Sequence, residues 1–263
     1  MGDLGYAITG EAGRPTVLFL HGFMGSAADW KDVMAALGGD RRCLAVDLPG
    51  HGASLGLMPD LYTIEGTTRA LIQLLDELEI ERPTLAGYSM GGRLALYFAL
   101  RHPERCAGLF LESSSPGIED ASERETRRRA DEGKATRIES GHFEDFLRDW
   151  YRQPLFASLA RDEERLRKTV EARLRNDPVE LARSLRGMGA GSQPSLWGEL
   201  ASLEVPALAV AGELDGKYVD VSRRMASVSP RVRDVVVTGA GHNVRLEAPG
   251  AYLALLGRFL TVS

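Results

Sequence analysis

Short, uninterrupted apolar runs alternate along the chain with longer stretches in which apolar residues recur at helical spacing. Val17–Leu20, Cys43–Val46, Thr84–Tyr88, Gly108–Leu111, Ala207–Val210 and Asp234–Val237 are the strand candidates. Runs that do not alternate apolar with polar suit strands covered on both faces, as in a parallel sheet. Thr63–Leu78 and Met90–Leu100 have helical periodicity, the second stopping before His102-Pro103. Ala248–Leu260 predicts a C-terminal helix that tolerates Pro249 in its first turn. Strand and helix signals in alternation predict a doubly wound, mostly parallel α/β sheet. The rhythm breaks from about Ser115 to Leu200, where charged, Arg-rich helical sequence holds no strand candidate. We read residues 115–200 as a helical cap inserted between sheet strands, over a core formed by 1–114 and 201–263.

Composition narrows the picture only a little. The 263 residues suit one α/β domain with an insertion, or two small domains. A 44% hydrophobic and 26% charged chain is globular rather than disordered. A net charge of -5 argues against a general nucleic-acid binder but allows a local basic patch. Cys43 and Cys106 sit in apolar runs and read as reduced core thiols. No Cys/His pair has zinc-ligand spacing, and neither a metal nor an organic cofactor is indicated. Met1 to Tyr6 shows no basic stretch leading into an apolar core, and lacks the Ser/Thr needed for N-myristoylation. No apolar run is long enough to span a bilayer. The expectation is a cytoplasmic protein, monomer or homo-oligomer, with no membrane or nucleic-acid partner.

The chemistry concentrates in three loops. Gly87-Tyr88-Ser89-Met90-Gly91 is a G-x-S-x-G motif between a strand candidate and a helix candidate, the context in which that motif presents a nucleophile. A serine on so tight a turn needs small residues two before and two after it, and Gly92 lets the helix approach the sheet. The helix N-terminus behind Ser89 supplies positive potential and free N–H groups. His21-Gly22-Phe23 follows the first strand, so the backbone N–H groups of Phe23 and Met90 are the oxyanion-hole candidates. Gly241-His242-Asn243 follows the last strand, and imidazole suits proton shuttling near neutrality. Gly212-Glu213-Leu214-Asp215 offers two carboxylates to orient it; Asp215, deeper in the loop, is preferred to Glu213. Asp47 would break the order serine, acid, histidine and reads as structural. His21 and His51, each beside glycine, read as ligands of loop backbone, and neither they nor His102 and His142 read as the base. Arg93, one helical turn past Ser89, faces either the serine or solvent. Arg127, Arg128 and Arg129 carry the same ambiguity; arginines gathered in a cap could bind an anionic substrate.

With these motifs on view, the chain resembles the 2-succinyl-6-hydroxy-2,4-cyclohexadiene-1-carboxylate (SHCHC) synthases of the menaquinone pathway, members of the α/β-hydrolase superfamily. The resemblance covers nearly the whole chain. It runs through His21-Gly22-Phe23-Met24-Gly25-Ser26 with Asp29-Trp30, Asp47 to Gly52, Gly87 to Arg93 and Glu112 to Gly117. It continues through the Arg-rich stretch ending at Asp131, Trp150-Tyr151 with Gln153 to Phe156, Arg186 to Gly189 and Gln193-Pro194-Ser195. Gly212 to Asp215 and Gly241 to Asn243 complete it. The resemblance implies a lyase that removes pyruvate from an enolpyruvyl-bearing cyclohexene, with Ser89 acting as a base raised by His242 and Asp215. It places Arg93, Arg127 and Arg173 on the carboxylates of a small polycarboxylate substrate, with Tyr88 and Trp150 lining the site. Because Arg127 and Arg128 are adjacent, a one-residue shift exchanges them. A serine hydrolase of esters or C–C bonds, or a receptor-like binder on the same fold, are the competing readings. A hydrolase of neutral esters would not need several arginines near the serine.

Overall fold

The computed structural model describes residues 3–262, so Met1 and Gly2 of the N-terminal reading lie outside the described residues. In chain order the first half holds β1 (Tyr6–Thr9), β2 (Thr16–Leu20), α1 (Lys31–Leu37), β3 (Arg42–Val46) and α2 (Ile64–Glu77). Then come β4 (Thr84–Tyr88), α3 (Met90–Arg101) and β5 (Gly108–Glu112). An all-helical segment follows: α4 (Ala121–Glu139), α5 (Phe143–Tyr151), α6 (Glu163–Arg173) and α7 (Pro178–Met188). The chain then returns through β6 (Ala207–Gly212), α8 (Gly216–Val228), β7 (Val232–Val237), α9 (Val244–Glu247) and α10 (Pro249–Val262).

Seven strands form one sheet in the order β1-β3-β2-β4-β5-β6-β7. Every pairing is parallel except β1 with β3. β2, β4, β5 and β6 are buried along their whole length, as their uninterrupted apolar runs require. Successive side chains point to opposite faces, so each run feeds two cores. Leu18, Leu20, Leu85 and Leu109 pack with Leu71 and Leu75 of α2 and with Phe98 of α3. Val17, Phe19, Ala86 and Phe110 pack on the other side with Trp30, Met34 and, from α10, Tyr252 and Leu256. The helical segment has an apolar centre of its own, built on Ile138, Phe146, Leu147, Leu181 and Leu185, which Met24 joins from the β2 loop.

Two strands depart from the sequence reading. β1 has no continuous apolar run; it is an exposed antiparallel edge, held by main-chain pairing from Tyr6↔Val46 to Thr9↔Cys43. β7, read as covered on both faces, is the opposite edge and leaves Arg233 exposed and Asp234 to Val236 half-buried. Cys43 and Cys106 are free and buried, as expected.

The loops at the carboxyl ends of β2 and β3 are stitched by the two histidines that sequence assigned to backbone. His21 Nδ1–H donates to the Gly22 carbonyl at 2.8 Å, and its Nε2 accepts the Leu48 N–H at 2.9 Å. His51 Nε2 accepts the Met24 N–H at 3.0 Å. Burial pushes both imidazoles below their ordinary value, which keeps that accepting nitrogen unprotonated. Asp47, read as structural, accepts the N–H groups of Ala27 and Ala53 at 2.7 and 2.9 Å.

Helix α3 begins against the sheet with no room to spare. A Cβ on Gly91 would stand 2.2 Å from the Leu20 carbonyl oxygen, and one on Gly87 would stand 2.5 Å from Gly92 Cα. Both obstacles are backbone. Gly91→Ala is therefore expected to lower the unfolding free energy by about 2 kcal/mol or more, the scale of overpacking a tight site. Urea denaturation checks this; unchanged stability would show that the helix can ride further from the sheet.

Candidate active site

Ser89 stands between β4 and α3 at φ 50° and ψ −107°, a left-handed conformation that a non-glycine residue holds only under constraint. Its N–H donates to the Glu112 carbonyl at 2.9 Å, and its carbonyl accepts the Arg93 N–H at 3.0 Å. The small residues of the motif serve this corner directly: on Gly92, a Cβ would lie 1.8 Å from Ser114 Oγ.

His242 arrives on the loop after β7. Its Nε2 lies 3.3 Å from Ser89 Oγ, and its Nδ1 lies 2.6 Å from Asp215 Oδ2. Nδ1 therefore carries the proton toward Asp215, which leaves Nε2 free to take one from the serine. Both flanking residues of the histidine are pinned by one carboxylate: Glu247 accepts the Gly241 N–H at 3.0 Å and the Asn243 N–H at 3.2 Å. The other carboxylate offered by sequence points elsewhere, since Glu213 accepts the Gly239 N–H at 2.9 Å. Asp215 also opens α8, and its Oδ1 accepts the Tyr218 N–H at 3.4 Å.

Gly22, Phe23, Ser89, Met90 and His242 line one pocket between the sheet and the helical segment. Among the described residues, the N–H groups of Phe23 and Met90 meet no protein acceptor. That leaves them open to an oxygen that gains negative charge. Tyr88 lies along the floor, its ring 5.5 Å from that of His242. Burial pushes its phenol well above the ordinary value. The same ring fills the space where Gly22 would carry a Cβ, 2.7 Å away. Trp150 closes the far wall, 5.6 Å from the Phe23 ring and 6.2 Å from that of Phe156.

Among the described residues, five cationic side chains line this pocket, Arg93, Arg127, Lys134, Arg173 and Lys217, against a single carboxylate, Asp29. Arg93 faces inward rather than to solvent; its two Nη atoms donate to Gln193 Oε1 at 2.6 Å and to the Met188 carbonyl at 2.9 Å. Burial lowers its guanidinium to about 10, so it stays charged at neutral pH. Arg127 reaches the pocket with Nε 2.8 Å from Asp131, while its neighbour Arg128 turns outward to Glu125. Arg173 is buried and already bound at two points by Asp29.

Sequence reading passed over Lys134, Lys217, Tyr218 and Gln193 as site residues. Lys134 had a signal: it follows Arg127 and Asp131 at seven and three residues, on one helical face. Its ammonium lies 5.6 Å from the Trp150 ring centroid. Tyr218 packs 4.8 Å from the His242 ring, and Gln193 comes from a loop; neither contact follows from sequence spacing.

The chain is similar to known proteins in both sequence and fold. Residues 15–249 match the model of the alpha/beta hydrolase fold family. The chain is 36% identical over 256 residues to the SHCHC synthase of Serratia proteamaculans (strain 568), covering 95% of each protein. A Bacillus subtilis (strain 168) protein given the same name provisionally is 37% identical over 260 residues, covering 97% of this chain and 94% of that one. Among solved structures, MenH from S. aureus superposes with a TM-score of 0.92 at 31% identity, covering 97% of both chains.

Beneath the serine, Glu112 is fully buried; its carboxylate accepts the Arg245 N–H at 2.9 Å, and burial raises it from 4.5 to about 7. A raised carboxyl favours the folded state fully below 4.5 and loses that contribution as pH rises through about 7. The stability of wild type relative to Glu112→Gln should thus fall between those pH values, by up to about 1.4 kcal/mol per pH unit, and level off above them. Denaturant titrations at fixed ionic strength measure the difference. A flat profile would show that Glu112 ionises as easily in the folded chain as in the unfolded one.

Proposed function

The chain belongs to the alpha/beta hydrolase family and, within it, to the SHCHC synthases, and from that premise we propose which of its residues carry the reaction. The protein is a lyase of menaquinone biosynthesis. It eliminates pyruvate from 2-succinyl-5-enolpyruvyl-6-hydroxy-3-cyclohexene-1-carboxylate to give 2-succinyl-6-hydroxy-2,4-cyclohexadiene-1-carboxylate. One observation supports the assignment above the others: a chain of net charge -5 gathers five cations around Ser89. A substrate with carboxylates on its succinyl, enolpyruvyl and ring positions needs such a lining, and a neutral ester does not.

In this reading Ser89 Oγ takes a ring proton as its own proton passes to His242 Nε2. A ring C=C bond forms, and the C–O bond to the enolpyruvyl group breaks. Its electron pair leaves with the enolate of pyruvate, which regains a proton as the ketone; no water is consumed. Asp215 holds the imidazole in the accepting tautomer and stabilises its cation. The Phe23 and Met90 N–H groups steady the charge that builds on the carbonyl next to the deprotonated carbon. Arg93, Arg127 and Arg173 hold carboxylates, and Tyr88 and Trp150 shape the walls. Residues 115–200 act as a cap over a core of 1–114 and 201–263, in a cytoplasmic enzyme.

Ser89→Ala and His242→Ala are each expected to lower pyruvate release at least about a hundredfold, the scale of general acid–base catalysis. Arg93→Ala should raise KM at least about tenfold through lost carboxylate binding. Pyruvate release from the pathway intermediate, followed beside p-nitrophenyl ester hydrolysis, is the deciding assay. Fast ester cleavage without pyruvate would make the chain a serine hydrolase, and near-wild-type elimination by Ser89→Ala would remove the proposed base.

A further inference from the structure

Asp29 is out of place in a pocket suited to anions. It is the one carboxylate among the described lining residues, and it sits where a substrate carboxylate would be expected, on Arg173. The pair is a fork: Oδ1 accepts from Nη1 at 2.9 Å and Oδ2 from Nη2 at 2.8 Å. Asp29 is itself braced, because its main-chain carbonyl accepts from Arg245 Nη1. Gly25 makes room for it, since a Cβ there would stand 2.7 Å from Asp29 Oδ2. Burial alone would raise the Asp29 carboxyl, but the Arg173 and Arg245 guanidiniums outweigh it and keep the group ionised.

A guanidinium has two edges that can each meet a carboxylate at two points. Asp29 fills the terminal edge. The lateral edge, bearing Nε–H, is different: Arg173 Nε is buried and has no hydrogen-bond partner. The side chain is only 9% exposed and lines the pocket; the Tyr151 hydroxyl lies near enough to help hold the guanidinium charged but does not meet Nε in hydrogen-bond geometry. An ion pair that merely tied α6 to the core would gain nothing by leaving a buried donor open, since such a group costs free energy. We propose that Asp29 is a positioning residue, clamping the terminal edge of Arg173 so that its lateral Nε edge receives one carboxylate of the substrate. Asp29 thereby sets specificity as well, because the charge-neutral pair rewards a carboxylate of the right geometry rather than any anion. The assignment rests on the elimination reading for the identity of the substrate, and on the fork geometry for everything else.

The test uses full-length Asp29→Ala, Asp29→Asn, Arg173→Ala and the double variant, read by pyruvate release and by calorimetric binding of propane-1,2,3-tricarboxylate. Asp29→Ala should raise KM at least about tenfold with kcat within about threefold, the pattern of a lost binding contact. Asp29→Asn, which keeps one acceptor, should recover part of the loss. The double variant should be no weaker than Arg173→Ala, because Asp29 acts through that side chain. Tricarboxylate affinity should follow the same order. A KM left unchanged or lowered in Asp29→Ala, or losses that add in the double variant, would overturn the proposal. So would a fall in kcat and melting temperature at constant KM, which is the mark of a merely structural tie. Absence of pyruvate release by wild type would sink the elimination reading alone. The calorimetry still decides Asp29 in that case, and a wild type that fails to bind the tricarboxylate counts against it.

Discussion

The closeness of helix α3 to the sheet governs the site. Gly87, Gly91 and Gly92 let the first turn of the helix press against backbone of β2 and β4, and the chain can make that approach only by turning sharply at Ser89. A left-handed serine costs on the order of 1–3 kcal/mol, and the surroundings must hold it there. They do so through the Ser89 N–H on the Glu112 carbonyl and through the packed floor beneath. The turn leaves the hydroxyl raised above the strand ends and the Met90 N–H without an acceptor. Widening the gap between helix and sheet would relax the turn, and hydroxyl and donor would lose their common focus.

A second constraint is charge in a buried place. Cations can line a partly closed pocket only if their desolvation is offset, and here each buried guanidinium is held by an oxygen from across the junction. Arg93, rooted in the core, is bound by Gln193 and the Met188 carbonyl at the end of the helical segment. Arg173, rooted in that segment, is bound by Asp29 of the core. The two ties run in opposite directions, so the same bonds that orient the cations also fix the helices over the strand ends. Electrostatics and architecture are one problem in this pocket.

Much of the fold was legible because buried strands show as unbroken apolar runs, and six of the seven strands carried one, although β7 proved to be a half-buried edge. β1 did not: as an exposed edge it is held by main-chain pairing, which side chains do not advertise. In the site, Ser89, His242 and Asp215 could be picked from loop position and chain order, and the structure brings all three into one hydrogen-bonded series. Spacing could not say which way Arg93 faces or which of Arg127 and Arg128 enters the pocket, because helix rotation is set by packing against other elements. Lys134 was within reach from its helical spacing to Arg127. Gln193, Tyr218 and the role of Asp29 were not, since each depends on a contact between segments far apart in the chain.

By itself, the sequence determined local requirements: apolar runs that must be covered, small residues where a helix must crowd a sheet, and a serine, an acid and a histidine each at the end of a strand. These are local properties, written in neighbouring residues and in the short range of backbone sterics. Only tertiary structure decided that Glu213 turns to Gly239 while Asp215 turns to His242, that Arg128 faces water, and that Arg173 already holds a carboxylate. Such choices belong to whichever partner lies across the space between elements, and chain order does not encode that distance.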